Sequence, residues 1–382
     1  MRLLFVSHSF PPPGRPLANL GGMQRVAVEL HGALAGRPDV ELHEELLRTS
    51  WRWTHLRTGP FLARAAWRLW QAACRRAVDA VLFSSMVTAP LAWPLRGAFR
   101  KNGIVTGAIA HGRDLTLPVA PYQWMLPRVF ASLGGVFPVS RATAAAAAAR
   151  GGDPERIQVV PNGVDPNRFA PPADRRAARR ELLATFEASV PDGATLLCSV
   201  GRHVERKGFD WFVETVLPRL PMDVHYWLAG EGPRTDAIRR AAHRAGVAGR
   251  VRLLGRVSEE NLHRLYRGAD LFVMPNVPAP EGDMEGFGVV MLEAGLSGLP
   301  TVAARLEGIQ DVIAEGENGQ LVAPRAPGAF AEAIRRYHSG ERDVQAAGQR
   351  AVRYVQGTFG WPAVAGRYVK ALAERELPGG AA

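Results

Sequence analysis

Short apolar runs alternate with helix-patterned segments along the whole chain, and this alternation narrows the fold more than any other feature. A short run without a polar face suits a strand buried on both sides, and such strands belong in parallel sheets covered by helices. In the first half the expected strands are 2–6, 79–83, 104–110, 135–139 and 156–160, with helices over 22–35, 61–78 and 141–150. In the second half strands are expected over 195–200, 224–229, 251–254, 271–274 and 300–303, with helices including 288–296 and 328–337. A chain of 382 residues exceeds one ordinary core, so the pattern implies an α/β protein of two doubly wound, Rossmann-like domains. Segment 169–193 opens on Ala170, Pro171 and Pro172, continues charged, and reads as a linker between domains 1–168 and 194–360. A last helix is expected over 361–378. Ligands of open parallel sheets sit beyond the carboxyl ends of the strands, so two such domains facing across a cleft would bring two ligand-binding edges together.

Apolar residues make up 47% and charged residues 22%, a globular composition. Cys74 and Cys198 lie far apart, with neither a disulfide framework nor a metal knuckle. No apolar run approaches the roughly 18–20 residues that span a bilayer. The opening run is cut by Pro11, Pro12 and Pro13 too soon for a signal peptide, so a cytoplasmic protein is expected. The net charge is +11 and uneven: residues 46–110 hold ten basic residues against one acid, Asp79, and five of the nine tryptophans. Within 61–78, Trp67, Trp70 and Cys74 fall on one helical stripe with Leu62, Ala63 and Ala66, while Arg64, Arg68, Arg75 and Arg76 lie mostly off it. That pattern fits peripheral contact with the anionic cytoplasmic face of a membrane, or an amphipathic helix laid on its own sheet. A basic nucleic-acid binding protein would explain the charge and none of the motifs that follow.

Two glutamates, Glu285 and Glu293, bracket a Gly-Phe-Gly turn that runs into a helix. Gly286 and Gly288 let backbone approach a ligand, and the first amides of the helix, unpaired at its positive dipole end, suit a diphosphate. Carboxylates accept hydrogen bonds from sugar hydroxyls. The second signal is Gly201-Arg202-His-Val-Glu-Arg-Lys207-Gly208, where a strand ends and a guanidinium and an ammonium stand ready to neutralise a diphosphate leaving group. Lys207 is one of only three lysines. Glu231, in a Gly-Glu-Gly-Pro turn, follows another strand. Gly21 and Gly22 open a helix after the first strand, His111-Gly112 follows a strand directly, and Glu307-Gly308 forms a further loop. The turn Pro161-Asn-Gly-Val-Asp165 reads as structural. No Asp-x-Asp metal pair, HExxH, GxxxxGK[ST], GxSxG or early GxGxxG occurs.

Taken in order, these motifs resemble the retaining glycosyltransferases of family four, glycosyl transferases group 1, with the GT-B fold. The resemblance extends over essentially the whole chain, including a Phe359-Gly-Trp361 start to a final helix that crosses back to the first domain. It implies transfer of a hexose-type sugar from a nucleotide diphosphate donor, with no metal or other cofactor. Arg202 and Lys207 would then hold the diphosphate, Glu293 the ribose and Glu285 the sugar, with the amides of Phe287, Gly288 and Val289 in support. Gly201 and Glu231 would complete the donor side, His111 would touch the sugar near the reacting carbon, and Gly21–Gly22 would close over the phosphates or the acceptor. Glu307 stands where many members have a second glycine. The acceptor is open: a lipid-linked sugar in cell-envelope glycolipid or polysaccharide synthesis, or a soluble small molecule. A nucleotide-sugar epimerase shares the fold; a phosphorylase would need a Schiff-base lysine, and Lys207 is already claimed. Because no metal-binding carboxylate pair is present, turnover is expected to survive excess EDTA; complete loss restored by Mg²⁺ or Mn²⁺ would contradict the resemblance.

Overall fold

The computed structural model describes residues 1–12, 14, 22–112, 114–278, 287–306 and 308–375. Gly21, Glu285, Gly286 and Glu307, singled out above, lie outside them. The chain divides into two compact units, Met1–Gly163 with Gly360–Ala382, and Val164–Phe359.

The first unit runs β1 (Arg2–Phe10), α1 (Gly22–Ala35), β2 (Glu41–Arg48), α2 (Trp51–Cys74), β3 (Ala80–Phe83), α3 (Ala92–Lys101), β4 (Val105–Ala110), α4 (Ala120–Ser132), β5 (Gly135–Pro138) and α5 (Arg141–Ala148). Its sheet has the order β2-β1-β3-β4-β5, all parallel. The second unit runs α6 (Arg175–Thr185), β6 (Thr195–Val200), α7 (Phe209–Thr215), β7 (Val224–Ala229), α8 (Thr235–Arg244), β8 (Val251–Gly255), α9 (Glu259–Gly268), β9 (Leu271–Met274), α10 (Val289–Leu296), β10 (Thr301–Ala304), β11 (Gly319–Val322), α11 (Pro327–His338) and α12 (Val344–Phe359). Its order is β11-β10-β9-β6-β7-β8, again parallel. Helix α13 (Trp361–Ala373) returns to the first unit, where Trp361, Val364, Tyr368 and Leu372 join the core beneath α1. The two chain passages between units run side by side. The Val164 amide donates to the Phe359 carbonyl at 2.8 Å, and Gly163 lies so close under the Trp361 ring that a Cβ would stand 2.4 Å from it.

Several expectations need correction. Residues 156–160 form no strand: Pro154 and Pro161 bound the segment, and Ile157 makes one isolated bridge to Val136. Strands β2 and β11 were not expected; both are edge strands, and β2 reads Glu-Leu-His-Glu-Glu-Leu-Leu-Arg, charged as edges often are. Helix α2 starts ten residues before the expected 61–78 helix and carries Pro60 within it. Its buried stripe is Phe61, Ala65, Leu69 and Ala73, not the tryptophan stripe. Trp67 and Trp70 are 58% and 43% exposed and stack on each other at 5.1 Å, so the packing of the tryptophan face on the sheet is overturned. The rotation of α2 is held by Glu45 of β2, buried, with Arg68 Nη1 at 2.5 Å and Arg64 Nη2 at 3.8 Å.

Segment 169–193 is also more than a linker. Asp174 caps α6 by accepting from the Arg176 and Ala177 amides, and Arg179 pairs with Asp270 at 2.5 Å. Leu182 is fully buried against Gly268 of α9, where a Cβ would meet it at 2.7 Å. Phe169 is buried too, stacked on His263. Leu182→Ala is expected to destabilise the second unit by about 2–5 kcal/mol in denaturant unfolding, where a true linker position would cost almost nothing.

Candidate functional site

In the second sheet the strand order reverses around β6, with β7 on one side and β9 on the other, and the loops that follow these three strands meet in backbone contact. The Gly201 amide donates to the Ala229 carbonyl at 2.9 Å, the His203 amide to the Glu231 carbonyl at 3.0 Å, and the Val277 amide to the Arg206 carbonyl at 3.0 Å. Only glycine fits the closest points. A Cβ on Gly230 would lie 2.0 Å from the Gly201 carbonyl oxygen, and one on Gly208, whose φ is +63°, 2.2 Å from that of Pro275. A topological switch point of this kind is where open α/β sheets hold ligands.

Of the expected side chains, Lys207, Arg202 and Glu231 fall on this edge. Lys207 is buried, its stem and ammonium lying across Gly201, where a Cβ would be 3.5 Å from Nζ. Arg202 is exposed and shares a depression with Gly230, Glu231, Gly232 and Arg256. Gly288 is not the first helical residue but the left-handed N-cap of α10, with φ 65°. Phe287 turns its ring into the core, 5.9 Å from Phe359, which anchors the start of that helix.

Glu293 is buried rather than solvated. Tyr266 Oη donates to its Oε2 at 3.2 Å, and Arg168 Nη1 stands 3.9 Å from its Oε1. Burial pushes the carboxyl from an ordinary 4.5 up to about 7, against the opposing pull of Arg168 and of the tyrosine bond. His203, which the sequence reading passed over, is fully buried between the arginine and the lysine of its loop. Thr235 Oγ1 donates to the Gly232 carbonyl, so His203 Nδ1–H donates to Thr235 Oγ1 at 2.9 Å, pinning one loop to the next. Arg168 and Tyr266 were also missed, because their partner lies far away in sequence.

His111 lies in the first unit, directly after β4. Its Nε2 donates to the Ser84 carbonyl at 2.9 Å, which leaves Nδ1 as the atom with the free lone pair in the neutral ring. Asp114, buried, accepts from the His111 amide at 2.8 Å and the Met86 amide at 3.0 Å, tying the loops after β4 and β3. His8, near the end of β1, is buried with Nδ1 3.4 Å from Ser85 Oγ. Burial, reinforced by His111, lowers its pKa to about 4, so it stays neutral. His8 carries the signal that singled out His111, a histidine at the carboxyl end of a strand. Gly22 opens α1. Among the described residues no three His, Cys, Asp or Glu side chains are grouped to hold a metal ion.

The raised Glu293 carboxyl fixes a sign for stability. Between pH 4.5 and about 7 the native state binds the extra proton, so stability falls as pH rises through this window. Above it the buried charge costs on the order of 3 kcal/mol. Glu293→Gln is therefore expected to raise the unfolding midpoint at pH 8 by about 3 °C or more, and far less at pH 5.

Two family models match the chain: Glycosyltransferase Family 4 over residues 20–168 and Glycosyl transferases group 1 over residues 194–339. A D-inositol 3-phosphate glycosyltransferase of Geodermatophilus obscurus is 37% identical over 222 residues, 55% of this chain and 46% of that protein. A GDP-mannose-dependent alpha-(1-6)-phosphatidylinositol monomannoside mannosyltransferase of Mycolicibacterium smegmatis is 32% identical over 251 residues, 64% of this chain and 63% of that one. The chain thus spans between 46% and 63% of the length of these relatives. Anabaena HepE, crystallised with UDP, superposes with a TM-score of 0.67 at 19% identity, with 98% of this chain and 100% of that one covered. A glycosyltransferase from Rickettsia africae reaches 0.68 at 15%, covering 98% of each chain. These likenesses show the fold, the two Rossmann-like domains of GT-B proteins. The family matches run over both units, and the chain belongs to glycosyltransferase family 4.

Proposed function

We propose that the chain transfers a hexose-type sugar, with retention and without a metal, from a nucleotide diphosphate donor to a lipid-linked acceptor at a membrane surface. The observation that carries the donor side is the glycine-lined meeting of the loops after β6, β7 and β9, with Lys207 and Arg202 on the first of them. As the glycosidic bond breaks, negative charge grows on the diphosphate, and Arg202, Lys207 and the amides of Gly288 and Val289 oppose it. Glu293 accepts from the ribose hydroxyls and Glu285 from the sugar. His111 presents Nδ1 to a sugar hydroxyl, since its Nε2 hydrogen is already given to Ser84. Retention follows from attack on the face the leaving group departs from, a donor phosphate oxygen taking the acceptor proton.

The acceptor side rests on α2. Trp53, Leu56, Trp67 and Trp70 are all exposed there, beside basic residues and without an exposed acid on the helix, which suits the interface of an anionic, cytoplasmic leaflet. Two relatives support the class: one is described as acting on a phosphatidylinositol mannoside, and another, from Rhizobium meliloti, as a lipopolysaccharide core glycosyltransferase. Among the described residues no helix is long and apolar enough to cross a membrane. A soluble acceptor is the second reading.

Release of nucleotide from UDP-, GDP- and ADP-sugars identifies the donor. On that donor, Lys207→Ala and Arg202→Ala are each expected to cut turnover about a hundredfold or more while leaving the protein folded; near-wild-type turnover would put the diphosphate elsewhere. Glu293→Ala mainly raises KM and Glu285→Ala mainly lowers kcat. Wild-type protein is expected to co-sediment with anionic vesicles at low salt, and a Trp67→Ser, Trp70→Ser double variant about tenfold less. Arg64 and Arg68 are unsuitable for that test because they hold Glu45. Wild type left in the supernatant would make the soluble acceptor the better reading.

A further inference from the structure

Arg168 stands just past the passage into the second unit, between two carboxylates. Its Nε donates to Glu259 Oε1 at 2.7 Å, on the exposed first turn of α9. Its Nη1 lies 3.9 Å from Glu293 Oε1, is buried, and has no hydrogen-bond partner among the described residues. A buried guanidinium nitrogen without an acceptor is costly, and a shift of about one ångström would close the bond to Glu293. The neighbours fix where the guanidinium can go. Phe169 stacks on His263 at 4.4 Å and meets Tyr266 edge-on at 5.6 Å, and Tyr266 holds the other oxygen of Glu293.

We infer that Arg168 is a positioning residue for donor binding, a guanidinium shared between Glu259 and Glu293 that orients and charges Glu293 for an incoming ribose diol. The inference rests on the donor-site reading above and extends it to how that site is controlled. A diol donates two hydrogen bonds, and only an ionised carboxylate accepts both with its two oxygens. Burial opposes ionisation and leaves Glu293 near 7, Arg168 favours it, and Glu259 disfavours it. The groups facing Glu293 are thus Arg168 from the segment after Gly163, and Tyr266 and Glu259 from α9, with His263 between them close to Glu259. Glu259 acts on Glu293 twice, through its own charge and by drawing the guanidinium away. Donor affinity should accordingly be full above the Glu293 transition and fall as pH drops through it, with Arg168 and Glu259 moving that transition in opposite directions.

The test measures binding of UDP and of GDP by calorimetry from pH 5.5 to 9. Wild type is expected to bind the better nucleotide with constant affinity at high pH, then to weaken about tenfold per pH unit below the transition, as one linked proton requires. Arg168→Ala should move the onset upward by about one pH unit and recover near-wild-type affinity at pH 9; Arg168→Lys should fall between the two. Glu259→Gln, an exposed substitution that carries the test even if Arg168→Ala folds poorly, should move the onset downward. An unmoved onset in Glu259→Gln and Arg168→Lys, or weakening by the same factor at every pH in Arg168→Ala, overturns the inference. Glu293→Ala separates the two levels: wild-type nucleotide affinity in that variant at pH 8.5 removes the donor-site reading and the inference with it. Weakened affinity there, with an unmoved onset in the other variants, removes the inference alone.

Discussion

The carbonyl of Gly201 sits where a side chain of residue 230 would have to begin, and the second unit is arranged around that closeness. Two loops that follow adjacent parallel strands normally diverge as they turn into their helices. Here they stay hydrogen-bonded past the ends of β6 and β7, and a third loop, after β9, joins them at Arg206 and Val277. The result is a stretch of backbone with little side-chain cover at the point where the strand order reverses. Lys207 lies over it because Gly201 leaves the room, and His203 is forced inside, where Thr235 is its hydrogen-bond partner. Rigidity in this edge comes from main chain, so the charged groups it carries sit on a backbone with little freedom to reorganise.

Burial does the complementary work on the carboxylate side. Glu293 comes from a helix whose other buried residues are Met291, Leu292, Ala294, Gly295 and Leu296, so its acid lies in apolar surroundings with a tyrosine and a distant guanidinium as relief. In the first unit the same principle keeps His8 neutral beside His111, while Asp114 spends its two oxygens on backbone amides. The histidine cluster stands at the carboxyl ends of β1, β3 and β4, whereas the Glu293 cluster is built from α9, α10 and the segment that follows Gly163.

The central strands were legible because a strand buried on both faces is apolar, as β3 and β9 are throughout and β10 is after Thr301. Two of the four edge strands were not: β2 carries four charged residues and β11 opens on Gly319 and Gln320, so neither shows the apolar run on which the expectation relied. Helix α2 misled for a different reason. It offers two stripes, and tryptophan outweighs alanine on any hydrophobic count, yet the sheet takes Ala65 and Ala73 with Phe61 and Leu69 because small residues let the helix approach closely. The choice is sealed by Glu45, on the strand that went unread. The glycine-and-charge loops were readable because their chemistry is local in sequence. Glu293's setting was not, since Tyr266 and Arg168 reach it across 27 residues and more.

The return of α13 to the first unit has a consequence for the order in which the chain can fold. β1 to β5 are made before α13, yet the face of their sheet on which α1 lies stays only partly covered until Trp361, Val364, Tyr368 and Leu372 have been made. The second unit, by contrast, is continuous from Val164 to Phe359 and holds all of its own core. It can therefore complete itself while the first unit, although older, waits with Phe5, Leu30, Leu82 and Phe137 open on that side. The middle of the chain can thus be complete while β1, made before it, still lacks the cover of α13.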